Sequence, residues 1–574
     1  MKIFSPIMLA TILSAFSFAR GEMPPIRLAY NYCTLSYTFA YYSDEEWDAE
    51  IERLADRGYN VALVIDGTFK VWQQTLRSLG YSEEEIFAFI PDECARAWWL
   101  MGNLTGEGGP LDQKTIDEDA ARGRRICAKM REKGIEPILQ GFTGMMPLGE
   151  KYGALQQGKW ACYERPPILN PTSEAFYKIS KVWYRELEKV YGFKPKYLAG
   201  DLFHEGGKID GVDVTAATRE VQAAQQRAFP GVIWVVQAWQ ANPTLDIRAG
   251  LDPRFTLIEA LVKDMGSQPA PKDFGPLPWV WCEVLNFGGN HGLYGNLRTF
   301  ANLGKAADSP TFRGYGSLSE GFFTNPICYD LFDEMMMRPK GSVMNDEELA
   351  NWVAGWIDKR YNIAIDKREE KSAKLLHEAW NCLAKSVYAC PYCQEGTVEN
   401  VLCARPSWQV NNVSAWGPRK GLWYEPAILE RALECFEEVK GNFVELCGNN
   451  REAIDNFAYD FYDIKRQVRA NRLRKLAPNL KNDKAARDEF IAIARKMANE
   501  DGGAFGVPEE FSLDSQLRGA YKRAGVRGVK AFLRMITTWA DEEKHGRSEL
   551  EDYANREYRE LIELYYLKRW EKFL

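Results

Sequence analysis

Two acidic residues stand just past short apolar runs, where catalytic groups are often placed. Glu205 closes YLAGDLFHE and Glu320 sits in GYGSLSEG. A pair of carboxylates that face one cleft from separate strands is what glycoside hydrolysis needs, one as acid/base and one as nucleophile or second base. Asp66, Asp201, Glu259 and Glu283 also lie near the ends of such runs, and position alone does not choose two of the six. For each, the plain alternative is a solvated or salt-bridged carboxylate. Only four His occur in the chain. His204 and His291 lack the spaced acidic or Cys partners of a metal motif, so the chemistry is expected to need no metal and no organic cofactor.

The elements that must position these groups follow a β-α rhythm. Runs at 27–31, 60–65, 136–140, 197–203, 233–237, 255–259, 279–284 and 311–318 read as eight strands. Amphipathic stretches such as 44–57, 113–133, 173–190 and 214–228 lie between them. Alternating strands and helices give a parallel sheet, and eight such units predict a (β/α)8 TIM barrel over 26–343. A doubly wound open sheet is the alternative, disfavoured because no Gly-rich phosphate loop follows the first strand. Beyond 343 the segments 346–361, 367–388, 426–441, 451–476, 483–499, 512–523 and 530–574 are charged and helical in period. An all-α C-terminal domain is expected over 344–574. Its loops at 390–424, with Trp408, Trp416 and Trp423, are expected to lie over the barrel mouth.

Composition narrows the class further. The 574 residues are 46% hydrophobic, 27% charged and 13% aromatic, which excludes disorder and leaves room for roughly two to four domains. With 73 basic against 80 acidic residues, no electrostatic footprint for nucleic acid is present. The 18 Trp, 27 Tyr and 29 Phe suit either a large core or clefts in which sugar rings stack. Residues 1–21, with Lys2, the apolar run 3–18 and small residues after it, read as a signal peptide. A secreted or periplasmic protein with no membrane span is therefore expected. Of the twelve Cys, Cys390, Cys393 and Cys403 are the densest group. Structural thiols or a local disulfide are favoured there over zinc, since no His lies nearby.

Several motifs resemble those of glycoside hydrolase family 89, the α-N-acetylglucosaminidases, in that family's order. They are NYCTLSYTFAYY at 31–42, MGNL and GGPL within 101–111, YLAGDLFHE, QAW at 237–239, WCEVLNFGGNHGLYGNL at 281–297, SEGFFTNPICYDL at 319–331 and RPSWQ at 405–409. The resemblance is close over about 27–460 and looser beyond. In that family a small α/β domain usually precedes the barrel; here the first strand follows the leader directly, so that domain is expected to be absent.

The resemblance implies Glu205 as acid/base and Glu320 as nucleophile. It also implies that Asn31, Cys33, Trp98, Met101, Trp160 and Trp239 line the pocket of the terminal sugar and its acetamido group, and that Asn286 is a further substrate-binding residue. Trp faces suit a pyranose, and Cys or Met suits an acetyl methyl. In an α-linked GlcNAc the 2-acetamido group is cis to the leaving oxygen and cannot attack from behind, so the enzyme must supply the nucleophile and retain configuration. An exported, exo-acting enzyme on terminal α-GlcNAc of mucin-type or heparan-type glycans is implied. The alternatives are a relative with another α-glycoside preference and a catalytically silent carbohydrate-binding barrel. Two positions depart from the family's pattern: His204 stands where Asn is common, and Met145 of GMMP where His is common. His204 is accordingly expected to tune substrate choice.

Overall fold

All eight runs pair as parallel strands and close on themselves. The computed structural model describes residues 25–105, 111–147, 149–262, 273–322, 324–391, 400–410, 421–548 and 550–574. The signal peptide reading, Cys393, Trp416 and most of GGPL lie outside them. The barrel strands are β1 (Ile26–Ala29), β2 (Val61–Leu63), β3 (Glu136–Gln140), β4 (Tyr197–Ala199), β5 (Ile233–Ala238), β6 (Thr256–Val262), β7 (Trp279–Glu283) and β8 (Phe312–Ser317). Each hydrogen-bonds its sequence neighbour, and β8 returns to β1 with Ile26 opposite Gly314 and Ala29 opposite Ser317. At this seam Gly314 is required: an added Cβ would collide with the Ile26 carbonyl, and its φ is 154°.

Two strands end where the sequence pattern does not say. β4 stops at Ala199 rather than Phe203, because Gly200 takes φ 119° and the chain leaves the sheet. β6 runs past Glu259, since that carboxyl is buried and does not mark a solvated end. Outside the strands run the expected helices, among them Asp44–Asp56, Gln113–Glu132, Glu174–Tyr191 and Val214–Ala228. Ser43, Asp112, Ser173 and Asp213 respectively cap their first turns.

The C-terminal half is helical, led by Asp346–Arg360, Lys371–Lys385, Pro426–Val439, Arg451–Leu476 and Lys484–Ala498. Its end departs from expectation. One helix, Leu513–Met535, spans what reads as a break, with Gly525 at φ 61° inside it. The stretch after it is mostly irregular up to the short helix Arg559–Leu561. One continuous apolar core joins barrel and helices. A buried ion network reinforces the joint: Arg523 donates to Glu93 at 2.8 Å and Arg527 pairs with Asp92. Among the described residues no helix is long and apolar enough to cross a membrane.

The loop after β7 anchors the same joint through His291. Its ring lies between Phe511 and Tyr558, at 5.0 and 5.1 Å, and its Nδ1 accepts the Glu557 N–H at 3.0 Å. Burial, with Arg556 and Arg466 nearby, holds its pKa well below 6.5, so the folded protein keeps it neutral. The unfolded chain takes up a proton near pH 6.5, so this stabilisation is present above that pH and is lost as pH falls below it. The melting temperature should therefore fall less steeply between pH 7 and pH 5 in His291→Asn, whose amide oxygen can accept the same N–H. Equal slopes in variant and wild type would remove His291 from the acid response.

Candidate active site

The barrel's C-terminal strand ends surround a cavity of about 130 Å3 that opens to solvent. Asn31, Cys33, Trp98, Met101, Trp160, His204, Glu205, Trp239 and Glu320 all line it. Of the six strand-end carboxylates only Glu205 and Glu320 do so. Asp66 is bound by Arg122 at 2.7 Å within the buried network. Glu283 accepts the Ser317 and Ser319 hydroxyls at 2.5 and 2.8 Å, and burial pushes its pKa up to about 7. Glu259 is buried near Gln237 and Asp201, and Asp201 lies behind His204.

Glu205 stands on a strained turn. After Gly200 the chain passes Phe203 at φ 58° and enters a single helical turn, His204–Gly206, in which Glu205 itself has φ 46°. Such conformations cost roughly 1–3 kcal/mol and persist where the surroundings impose them. Arg165, from the hairpin that also carries Trp160, supplies that constraint. Its guanidinium donates to the carbonyls of Glu205 (2.7 Å), His204 (2.9 Å) and Gly102 (3.2 Å). The Glu205 carboxylate accepts from Asn103 Nδ2 at 2.8 Å, Trp239 Nε1 at 3.0 Å and Gln240 Nε2 at 3.2 Å.

Glu320 is held from other loops. Its Oε2 accepts the Gly288 N–H at 2.6 Å, and its backbone N–H donates to Leu285 O at 3.1 Å. The Cys33 thiol bonds to it as well; burial first, then the charges of Glu320 and Glu205, push that thiol's pKa far up. Cys33 therefore stays protonated and acts as a small apolar wall with one weak donor. Asn31 caps the helix Tyr32–Tyr37 and donates to Leu318 O at 2.6 Å, tying β1 to the loop that bears Glu320.

Asn286 does not line the cavity, contrary to expectation. Its amide donates to Thr324 and to Asn290 O, and its oxygen accepts the Tyr329 hydroxyl. At φ 53° it shapes the turn that presents Gly288 N–H to Glu320. Met145 is also absent from the lining; it is bridged to Ile168.

The wall comes from an unexpected segment. Leu550 and Tyr553 line the cavity, and Tyr553 packs edge-on against Phe287 at 5.3 Å. Trp539 packs edge-on against Trp98 at 4.7 Å and Trp160 at 5.5 Å and donates to the Tyr37 hydroxyl at 3.1 Å. The described part of 390–424, expected over the mouth, contributes no lining residue. Trp408 packs on Phe573, and Trp423 on Tyr294. Sequence reasoning also missed Asn103, Arg165, Gln240 and Phe287. Asn103 lies inside MGNL and was within reach; a lone Arg between Glu164 and Pro166 carried no signal.

A (β/α)8 barrel that gathers two carboxylates among indole faces in one cavity defines a protein of the glycoside hydrolase class. Comparison with known proteins narrows the class. The model of the alpha-N-acetylglucosaminidase (NAGLU) tim-barrel domain matches residues 27–339, and that of the NAGLU C-terminal domain matches 352–574. The chain belongs to the α-N-acetylglucosaminidase family. It is 28% identical to the human alpha-N-acetylglucosaminidase, over 96% of this chain and 75% of that one. A family 89 glycoside hydrolase from Clostridium perfringens, solved with 2-acetamido-1,2-dideoxynojirmycin, superposes with a TM-score of 0.85 at 28% identity. A family 89 structure from the same organism, with two glutamates replaced by glutamine and its substrate GlcNAc-alpha-1,4-galactose bound, gives 0.85 at 27%. In both, 96% of this chain matches 63% of the bacterial one, so the chain spans less than two thirds of those structures.

Proposed function

We propose that the protein is an exported, retaining, exo-acting α-N-acetylglucosaminidase that removes terminal α-linked GlcNAc from mucin-type or heparan-type glycans. One observation carries this reading: of six strand-end carboxylates, the two that face the cavity are Glu205 and Glu320. Glu320 attacks C1 and forms a glycosyl ester while Glu205 protonates the departing oxygen. Glu205 then takes a proton from the water that opens the ester. Trp98, Trp160 and Trp239 offer faces for the sugar ring, and Cys33 and Met101 offer soft surface for the acetamido methyl. The wall made by Leu550 and Tyr553, with Trp539 packed behind Trp98, bounds one side of the cavity and favours a chain end over an internal residue. Export is supported by the pattern of residues 1–21.

A panel of aryl α-glycosides tests the reading. Turnover of α-GlcNAc, with α-glucoside and α-galactoside far slower and the α anomer of GlcNAc released first, is the expected result. Release of the β anomer would refute retention, and preference for a sugar without the acetamido group would refute the substrate.

A further inference from the structure

Below Glu205 the barrel holds a pair of titratable groups that a two-carboxylate reaction does not itself require. Asp201 and His204 lie on the turn that leads from β4 to Glu205, and both are buried. His204 Nδ1 is 3.0 Å from Asp201 Oδ2, and its Nε2 is 4.0 Å from Glu205 Oε2. The Nδ1 contact is off the line of a good hydrogen bond, and neither atom has another partner among the described residues. Asp201 is fixed in turn by the Gln237 N–H, which donates to its other oxygen at 3.1 Å.

The charged groups that face His204 come from several elements. Asp201 and Glu205 belong to its own turn, Arg165 reaches in from the hairpin after β3, and Glu259 of β6 lies behind Asp201. Burial pulls the His204 pKa down and Arg165 opposes a proton as well, but Asp201 and Glu205 outweigh them and raise it above 6.5. The imidazole thus holds its proton to higher pH than a free histidine does, 4.0 Å from the carboxylate at the centre of the reaction.

We propose that Asp201 and His204 form a positioning unit for the acid/base: a charged imidazole, fixed by Asp201, that biases Glu205 toward its ionised form. This rests on the assignment of Glu205 made above. In the first half of the reaction the Glu205 proton leaves on the departing oxygen as the ester forms on Glu320. In the second half Glu205 takes the proton of the attacking water. His204 keeps its own proton throughout. When it is protonated its charge favours the carboxylate form of Glu205 used in the second half, and Asp201 extends the pH range over which it is protonated.

An opposite charge at this distance moves a carboxylate by about one pH unit. In His204→Asn the alkaline limb of kcat/KM should therefore move up by about that much. With a substrate whose leaving group departs readily, kcat and KM should fall together by about tenfold, as ester opening slows. A second measurement needs no turnover. With four His in the chain, labelled imidazole carbons can be followed singly by NMR. His204 should titrate above 6.5 in the wild type and at lower pH in Glu205→Gln and in Asp201→Asn. An unshifted alkaline limb in His204→Asn, or a His204 titration indifferent to Glu205→Gln, overturns the proposal. Wild-type inactivity on every α-glycoside would instead refute the proposed function, and the NMR result would still report the coupling.

Discussion

Glu320→Gln and Glu205→Gln are each expected to lower kcat by about 10^2–10^4-fold or more, with melting temperatures close to wild type. Both side chains are held by N–H donors, from Gly288 on one and from Asn103, Trp239 and Gln240 on the other. Gln keeps the shape and an acceptor oxygen while it removes the charge and the transferable proton. The two roles separate with azide. In Glu320→Ala, azide replaces the missing nucleophile and should give the β-glycosyl azide. In Glu205→Ala the ester still forms, and azide should open it from the other face to give the α-azide. The reverse pattern would exchange the roles, and wild-type turnover in either Gln variant would remove that residue from the mechanism.

Arg165→Ala is expected to cost about 100-fold in kcat, with a smaller change in KM. Arg165 touches no lining atom of Glu205, but it fixes the carbonyls on either side of a residue that sits at φ 46°. Without it the turn relaxes, and a displacement of about 1 Å at a reacting group is worth roughly that factor. Arg165→Lys should recover only part of the loss, since one ammonium cannot replace the fork that spans the Gly102, His204 and Glu205 carbonyls. A kcat equal to wild type in a folded Arg165→Ala would show that the turn holds itself.

The barrel was legible because its signal is repetitive: apolar runs that end in Gly or polar residues, separated by capped amphipathic helices. The two cavity carboxylates were legible as members of a group of six. What separated them from Asp66 or Glu283 is a spatial fact, the presence of Arg122 or of the Ser317 and Ser319 hydroxyls beside the others. The pocket aromatics were named through the family resemblance and not through any periodicity. The end of the chain misled for a definite reason. Its dense charges read as a solvated helix, yet Glu557 binds Arg466 at 2.7 Å and Asp552 binds Arg569 at 2.9 Å, both inside the protein. Charge marks a surface only when its partners are water, and a sequence does not show its partners.

Trp539 and Tyr37, which meet beside the cavity, are 502 positions apart. Occupancy of the cavity and docking of the helical half are therefore thermodynamically linked. A chain whose barrel has closed before the helices settle has both carboxylates but only part of a binding site. The cavity wall is complete only once the two halves have met. Any molecule that fills the finished cavity draws the chain toward the docked state, by about 2.7 kcal/mol at a hundredfold excess over Kd. Conversely, damage to the helical half, remote from either carboxylate, weakens ligand retention through the same linkage.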